Sequence, residues 1–141
     1  MIKVELERVE GDYGFRAKDE RGHAIHYDTS DENGGTNFGV RPMQSLLMAL
    51  GSCSGIDVVS ILKKQKQEFT FFAVSIEGER QATKTVSLWK RINVKFRFKG
   101  SLDYDKAFKA CQLSVEKYCS VAETLRRAGA EINWKLSIET L

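Results

Sequence analysis

Three thiols are the side chains of this chain best suited to covalent chemistry: Cys53, Cys111 and Cys119. Cys53 lies midway along a helical stretch, where a free cysteine either packs as a small hydrophobe or serves as a nucleophile. Cys119 directly precedes Ser120-Val121-Ala122-Glu123, which has the form of a capping box opening a short helix. The positive end of that helix dipole favours a thiolate, so Cys119 is expected to be reactive. Cys111 falls on the apolar face of the preceding helix and reads as core packing. Asp57 stands one turn after Cys53 on the same helix face. A carboxylate there raises the thiol pKa unless a cation neutralises it, so a nucleophilic Cys53 calls for an arginine nearby. His23 and His26 lie an odd number of residues apart on a strand and point to opposite faces, a poor metal pair. With no C-x-x-C pair and only two histidines, nothing in the motif pattern indicates zinc.

The elements that must position these thiols follow from hydrophobic period. Ile2, Val4 and Leu6 alternate with Lys3, Glu5 and Glu7, the mark of a half-buried strand. Turns at Gly11-Asp12 and Arg21-Gly22 separate two more strands, Tyr13 to Ala17 and His23 to Tyr27, so an antiparallel meander is predicted. Thr29 to Gly39, rich in Ser, Asp, Asn and Gly, is expected to be a mobile loop. Pro42, the only proline, suits the first turn of a helix because its missing N–H costs nothing there.

From Met43 to about Lys66 the pattern is helical and apolar on nearly every face, which predicts burial. Gly51 and Gly55 flank Cys53; each costs about 1 kcal/mol of helix propensity relative to alanine, which points either to close approach of another backbone or to a kinked helix. Two strands follow, Phe69 to Glu79 and Val86 to Lys99. The second puts Val86, Leu88, Ile92, Val94, Phe96 and Phe98 on one face, broken only by Lys90, and Arg91, Lys95, Arg97 and Lys99 on the other. That basic stripe reads as the solvated side of a sheet with Glu77 and Glu79 as cross-strand partners, rather than as an anion site. A helix over Asp103 to Tyr118 has Tyr104, Phe108, Cys111, Val115 and Tyr118 on one face. The short helix from Ser120 ends at Gly129, and Ile132, Trp134, Leu136 and Ile138 alternate as a final strand. The order is β-β-β-α-β-β-α-α-β, an α+β class in one domain spanning 1–141.

A chain of 141 residues can build a core without staples. An odd cysteine count with no N-terminal apolar h-region argues against a disulfide framework. No run approaches the ~18 apolar residues of a membrane span. The net charge of +3 comes from scattered residues, too weak a bias for nucleic acid. A cytoplasmic protein with neither membrane nor nucleic acid as a partner is expected.

Two runs carry a family resemblance. Arg41-Pro42-Met43-Gln44 through Leu50-Gly51-Ser52-Cys53 resembles the OsmC/Ohr signature, with proline at a helix start and a cysteine after small residues eleven positions on. Val115-Glu116-Lys117-Tyr118-Cys119-Ser120-Val121 resembles the family's other cysteine motif. With the element order, the resemblance covers nearly the whole chain, and it is nearest to the less studied OsmC-like branch. It implies an intertwined homodimer in which antiparallel sheet wraps long central helices and two active sites lie at the subunit interface. It also implies a chemistry. A thiolate at Cys53 attacks a hydroperoxide and becomes a sulfenic acid, which Cys119 captures as a disulfide. The family activates its thiolate with an arginine oriented by a glutamate directly after the helix-starting proline. Met43 occupies the glutamate position here, and Ser120 replaces the proline that often follows the second cysteine. Arg16 and Arg41 are the candidate cations, and Arg16 is preferred because a strand holds it firmly.

The function so implied is thiol-dependent peroxidase reduction of organic hydroperoxides in the stress response, with catalytic Cys53, Cys119 and Arg16. It needs a thiol or dithiol reductant and neither a cofactor nor a metal. The alternative is a non-enzymatic, redox-sensing or small-ligand-binding dimer. A thioesterase-type fold also wraps a sheet around a long helix, but no carboxylate–histidine set accompanies this one.

Overall fold

A computed structural model describes residues 1–140, and the backbone divides into two compact units, Met1–Leu46 and Leu47–Leu141. The first unit holds the meander β1 (Glu5–Glu10), β2 (Gly14–Lys18) and β3 (Ala24–Tyr27), paired antiparallel in that order. Gly11 turns the chain between β1 and β2 at φ +54°, a left-handed conformation that favours glycine. The expected half-buried strand differs in one respect. Its apolar side chains Val4 and Leu6 are 61% and 56% exposed.

Hydrogen bonds organise the loop over 29–39. The carboxylate of buried Asp28 accepts the backbone N–H groups of Thr29, Thr36 and Phe38 at 2.8, 2.9 and 3.1 Å. These bonds gather the segment around one anion, and they hold the Asp28 carboxyl below its ordinary range. A 3-10 turn over Asp31–Asn33 fills the middle of the loop.

Helix α1 (Pro42–Lys64) starts at proline, as the sequence predicts. Gln44 has a task that its charge does not reveal: its Oε1 accepts the Arg41 N–H at 3.1 Å, the back-reaching half of a capping box.

The second unit carries a sheet ordered β4 (Phe71–Ala82), β5 (Ser87–Lys99), β6 (Glu131–Glu139). β4 and β5 are antiparallel, whereas β6 runs parallel to β5, so this sheet is mixed. The alternation is obeyed over 91–99, where Ile92, Val94, Phe96 and Phe98 are buried and Arg91, Lys95, Arg97 and Lys99 are not; Val86, just before β5, and Leu88, at its start, are exposed. The basic stripe is solvated. Arg91 meets Glu79 at 3.5 Å and Glu131 at 3.4 Å, and Lys99 meets Glu139 at 3.7 Å. Glu77 sits opposite Asn93 in the register and not opposite a cation. Gly51 and Gly55 of α1 do mark close packing, but against sheet side chains and not another backbone. A methyl at Gly51 would lie 3.0 Å from Ile76, and one at Gly55 would lie 3.6 Å from Phe72.

The predicted helix over 103–118 is two segments. The helix proper, α2 (Tyr104–Leu113), is capped by Asp103, and a π turn over Ser114–Tyr118 follows it. The buried face is Ala107, Ala110, Cys111, Ser114 and Val115. Tyr104 and Tyr118 are each 53% exposed, so neither is the core residue that the simple periodicity suggests. α3 (Ser120–Arg127) is followed by Gly129 at φ +105°, which ends the helix as expected.

Cys111 is fully buried, as read from its helix face, and desolvation pushes its thiol up to about 12. Two results are expected. In folded protein given limiting peroxide, mass spectrometry finds Cys53 oxidised first and Cys111 intact; preferential modification of Cys111 refutes the assignment. The raised pKa also sets a sign. The folded state keeps a proton that the unfolded state releases above 9.0, so this contribution is intact below pH 9.0. It then declines by about 1.4 kcal/mol per pH unit toward pH 12. Urea titrations of Cys111→Ala at high pH should lack that component.

Candidate functional site

Cys53, Ser54 and Asp57 come from α1, and Ser114 and Cys119 come from the two ends of the π turn and its exit. The Sγ atoms of Cys53 and Cys119 and a carboxylate oxygen of Asp57 all lie within 4.8 Å of one another. The fold thus brings together the two cysteines that the sequence singled out, from distant stretches of chain.

The π turn places Cys119. Its N–H donates to the Ser114 carbonyl at 2.8 Å, closing the wide turn, and φ −74°, ψ 107° then takes the backbone out of helix. Arg126 of α3 donates to the Val115 carbonyl at 2.8 Å and supports the same turn. The cap of α3 is Cys119 itself and not Ser120: its Sγ accepts the Ala122 N–H at 3.4 Å. Glu123 does not reach back to complete the expected capping box. It pairs with Arg126 and Arg127 at 3.2 and 2.9 Å, which satisfies its charge at the surface.

The two thiols differ in access. Cys53 is partly exposed, whereas Cys119 is 1% exposed. Burial pushes the Cys119 thiol above its ordinary value, and the neighbouring Cys53 adds to the rise; the Ser54 hydroxyl and the Ala122 N–H oppose it. This corrects the expectation of a dipole-stabilised thiolate at Cys119. The helix end is present, but loss of solvation at a sealed position outweighs it.

Two buried serines complete the site, and sequence reasoning missed both. Ser54 Oγ donates to the Leu50 carbonyl at 2.8 Å and lies 3.5 Å from Cys119 Sγ. Ser114 Oγ donates to the Ser54 carbonyl at 2.9 Å and lies 3.4 Å from Asp57 Oδ2. The available signal was Ser114 falling four residues after Ala110, on a face otherwise filled by small apolar side chains. A polar residue there needs a partner across the helix interface.

Of the candidate cations, Arg16 lies on β2, 3.9 Å from Glu7 across the β1–β2 pair. Arg41 donates to the Gly39 carbonyl at 3.4 Å at the approach to α1. Chemically, one accessible thiol beside one sealed thiol suits sequential oxidation and disulfide capture. Two sulfurs and a carboxylate suit a soft cation.

Comparison with known proteins gives four findings. The family model described as OsmC-like protein matches residues 33–135. Protein YhfA of Escherichia coli K12 is 38% identical over 128 residues, covering 90% of this chain and 91% of that protein. Among solved structures, a hypothetical protein from Aquifex aeolicus is 32% identical with a TM-score of 0.77, covering 100% of this chain and 96% of that one. A Legionella pneumophila protein named as an organic hydroperoxide resistance protein OsmC has a TM-score of 0.70 at 15% identity, covering 99% and 96%. That last likeness shows the fold alone.

Proposed function

The chain belongs to the OsmC-like protein family, and from that premise we propose that it is a thiol-dependent peroxidase that reduces organic hydroperoxides in oxidative-stress defence. The single observation that carries this reading is the pair of thiols within 4.8 Å, one accessible and one sealed. The name of the Legionella neighbour supports the substrate class.

Cys53 acts first because a substrate can reach it. Its thiolate attacks the distal oxygen of ROOH; the O–O bond breaks, the alkoxide takes a proton and leaves as ROH, and Cys53 becomes a sulfenic acid. Cys119 then attacks the Cys53 sulfur, the S–O bond breaks, and water leaves with the Cys119 proton. The like-charge influence of Cys53 on Cys119 disappears once Cys53 is a neutral sulfenic acid, which eases that second step. A dithiol reductant accepts the oxidation and restores both thiols. Arg16 is the activating cation in this scheme. Glu7, 3.9 Å away, supplies the orienting carboxylate that Met43 does not. A cycle reset by thiols requires a reducing compartment, so the cytoplasm is the proposed location.

The test is consumption of an organic hydroperoxide by reduced protein with a dithiol in excess. Turnover well above one per subunit is expected. Stoichiometric oxidation without turnover would instead favour a redox-sensing or ligand-binding protein, a reading to which Met43 and the Asp57 carboxylate beside the thiols lend weight.

The working unit is proposed to be a homodimer of single-domain subunits. Met48 and Ile56 on one stripe of α1 are 53% and 69% exposed, and Val4, Leu6 and Ile25 of the first unit are comparably open. Over 18 residues α1 has a mean hydropathy of 1.7, so by length and composition it equals a membrane span. The sequence underrates it because small residues and Asp57 interrupt the run. Only 28% of that window is buried in the single chain, so the burial expected of this helix is not met there, although its Gly51 face packs on Ile76. Light scattering at micromolar concentration should give twice the 16.0 kDa chain mass; a stable monomer excludes the dimer.

A further inference from the structure

We propose that Cys53, Cys119 and Asp57 form a binding site for a soft divalent cation, Zn2+ foremost, with one coordination position left open. Asp57 is the residue that motivates this. Peroxide chemistry has no use for it, since a carboxylate beside a thiol opposes the thiolate. It is nevertheless held in place, with Ser114 Oγ 3.4 Å from Oδ2.

The donor set has the right chemistry and nearly the right size. Two sulfurs and one carboxylate oxygen are ligands that Zn2+ takes, and three protein ligands with a fourth position open is a known zinc arrangement. Tetrahedral bonds of about 2.3 Å put two sulfurs about 3.8 Å apart. The donor atoms here already lie within 4.8 Å of one another, so the sulfurs close by no more than about 1 Å and each sulfur–oxygen pair by no more than about 1.3 Å. Cys53 and Asp57 are one turn apart on α1, which presents both on one face. Cys119 enters from a different element and is fixed by the π turn that precedes it. No spacing motif is visible in the sequence because the third ligand arrives through tertiary structure.

Outer hydrogen bonds are in place as well, and metal sites depend on them. Ser114 orients Asp57, and the Ala122 N–H donates to Cys119 Sγ at 3.4 Å. The partial exposure of Cys53 supplies an entry path and leaves room for water in the open position. As the cation binds, each thiol releases its proton to solvent. The bound site carries two thiolates and a carboxylate against two positive charges. A hydroperoxide that oxidises the two thiolates to a disulfide loses its O–O bond, takes two protons from solvent and leaves as alcohol and water; the site loses both sulfur ligands and frees the metal. Metal and peroxide are therefore mutually exclusive at this site.

The site stands independently of peroxidase turnover, and the test separates the two. Reduced, metal-free protein is titrated with Co2+ and then with Zn2+. One equivalent per chain is expected, with thiolate-to-cobalt charge-transfer absorption that Zn2+ abolishes. Cys53→Ser and Cys119→Ser should each reduce that absorption, and the disulfide form of the wild type should have none. Asp57→Asn preserves the size of the side chain and leaves both sulfurs. It should weaken binding about 10- to 100-fold, as read by competition with a chromophoric chelator. Absence of charge-transfer absorption in reduced wild type overturns the proposal, as does Asp57→Asn binding that matches wild type. Either result leaves the hydroperoxide assay untouched.

Discussion

Cys119→Ser is expected to confine the protein to about one hydroperoxide per subunit, where the wild type with excess dithiol continues to turn over. The substitution is mild for the fold. Serine is a better N-cap than cysteine, so its hydroxyl can take over the Ala122 N–H that Cys119 now accepts. What disappears is the sulfur proposed to capture the oxidised Cys53. In the proposed cycle the two sulfurs close from at most 4.8 Å to the roughly 2.05 Å of a disulfide. Without it, the Cys53 sulfenic acid persists and repeated peroxide doses carry it to sulfinic and sulfonic acid. Mass spectrometry after each dose separates the outcomes. If the variant matches the wild type in products and in turnover, Cys119 is structural and the chemistry belongs to Cys53 alone.

The largest effect on stability is expected from Phe96→Ala. Phe96 is fully buried on β5, stacked near Phe72 at 6.2 Å and set edge-on to Trp134 at 6.4 Å between ring centres. Removing a buried phenyl ring costs about 3–5 kcal/mol, through lost transfer energy and the cavity left behind. Against a total of about 5–15 kcal/mol, that brings the protein near its unfolding threshold. Phe71, an outward-facing neighbour on β4, is 39% exposed and carries Arg97 and Lys99 beside its ring. Phe71→Ala should cost less than about 1 kcal/mol. Urea midpoints at one fixed protein concentration compare the two variants without the mass-action effect of an assembling chain. Equal losses at the two positions would contradict the assignment of the β5 inner face to the core.

The same contrast between local and distant information runs through the whole molecule. Period-two alternation in 91–99 and 132–138 specified which face of β5 and β6 is buried, because side-chain direction in a strand depends only on the residue's parity. Pro42 marked the start of α1 and Gly129 the end of α3, since each acts through its own backbone. The one-turn spacing of Cys53 and Asp57, and the two cysteine motifs with their family resemblance, were likewise visible in the linear chain. Tertiary structure decided the rest. The approach of Cys119 to Cys53 depends on the path of everything between them. The parallel course of β6 depends on how α2 and α3 cross over, which no local pattern encodes. Tyr104, Phe108 and Tyr118 of the predicted aromatic face are exposed, and the small side chains Ala107, Ala110 and Ser114 are buried, because the face a helix buries is chosen by what packs on it. A helix dipole at Cys119 could be inferred from neighbouring residues, but the burial that outweighs it could not. Desolvation is set by atoms from other parts of the chain, and their positions exist only once the chain has folded.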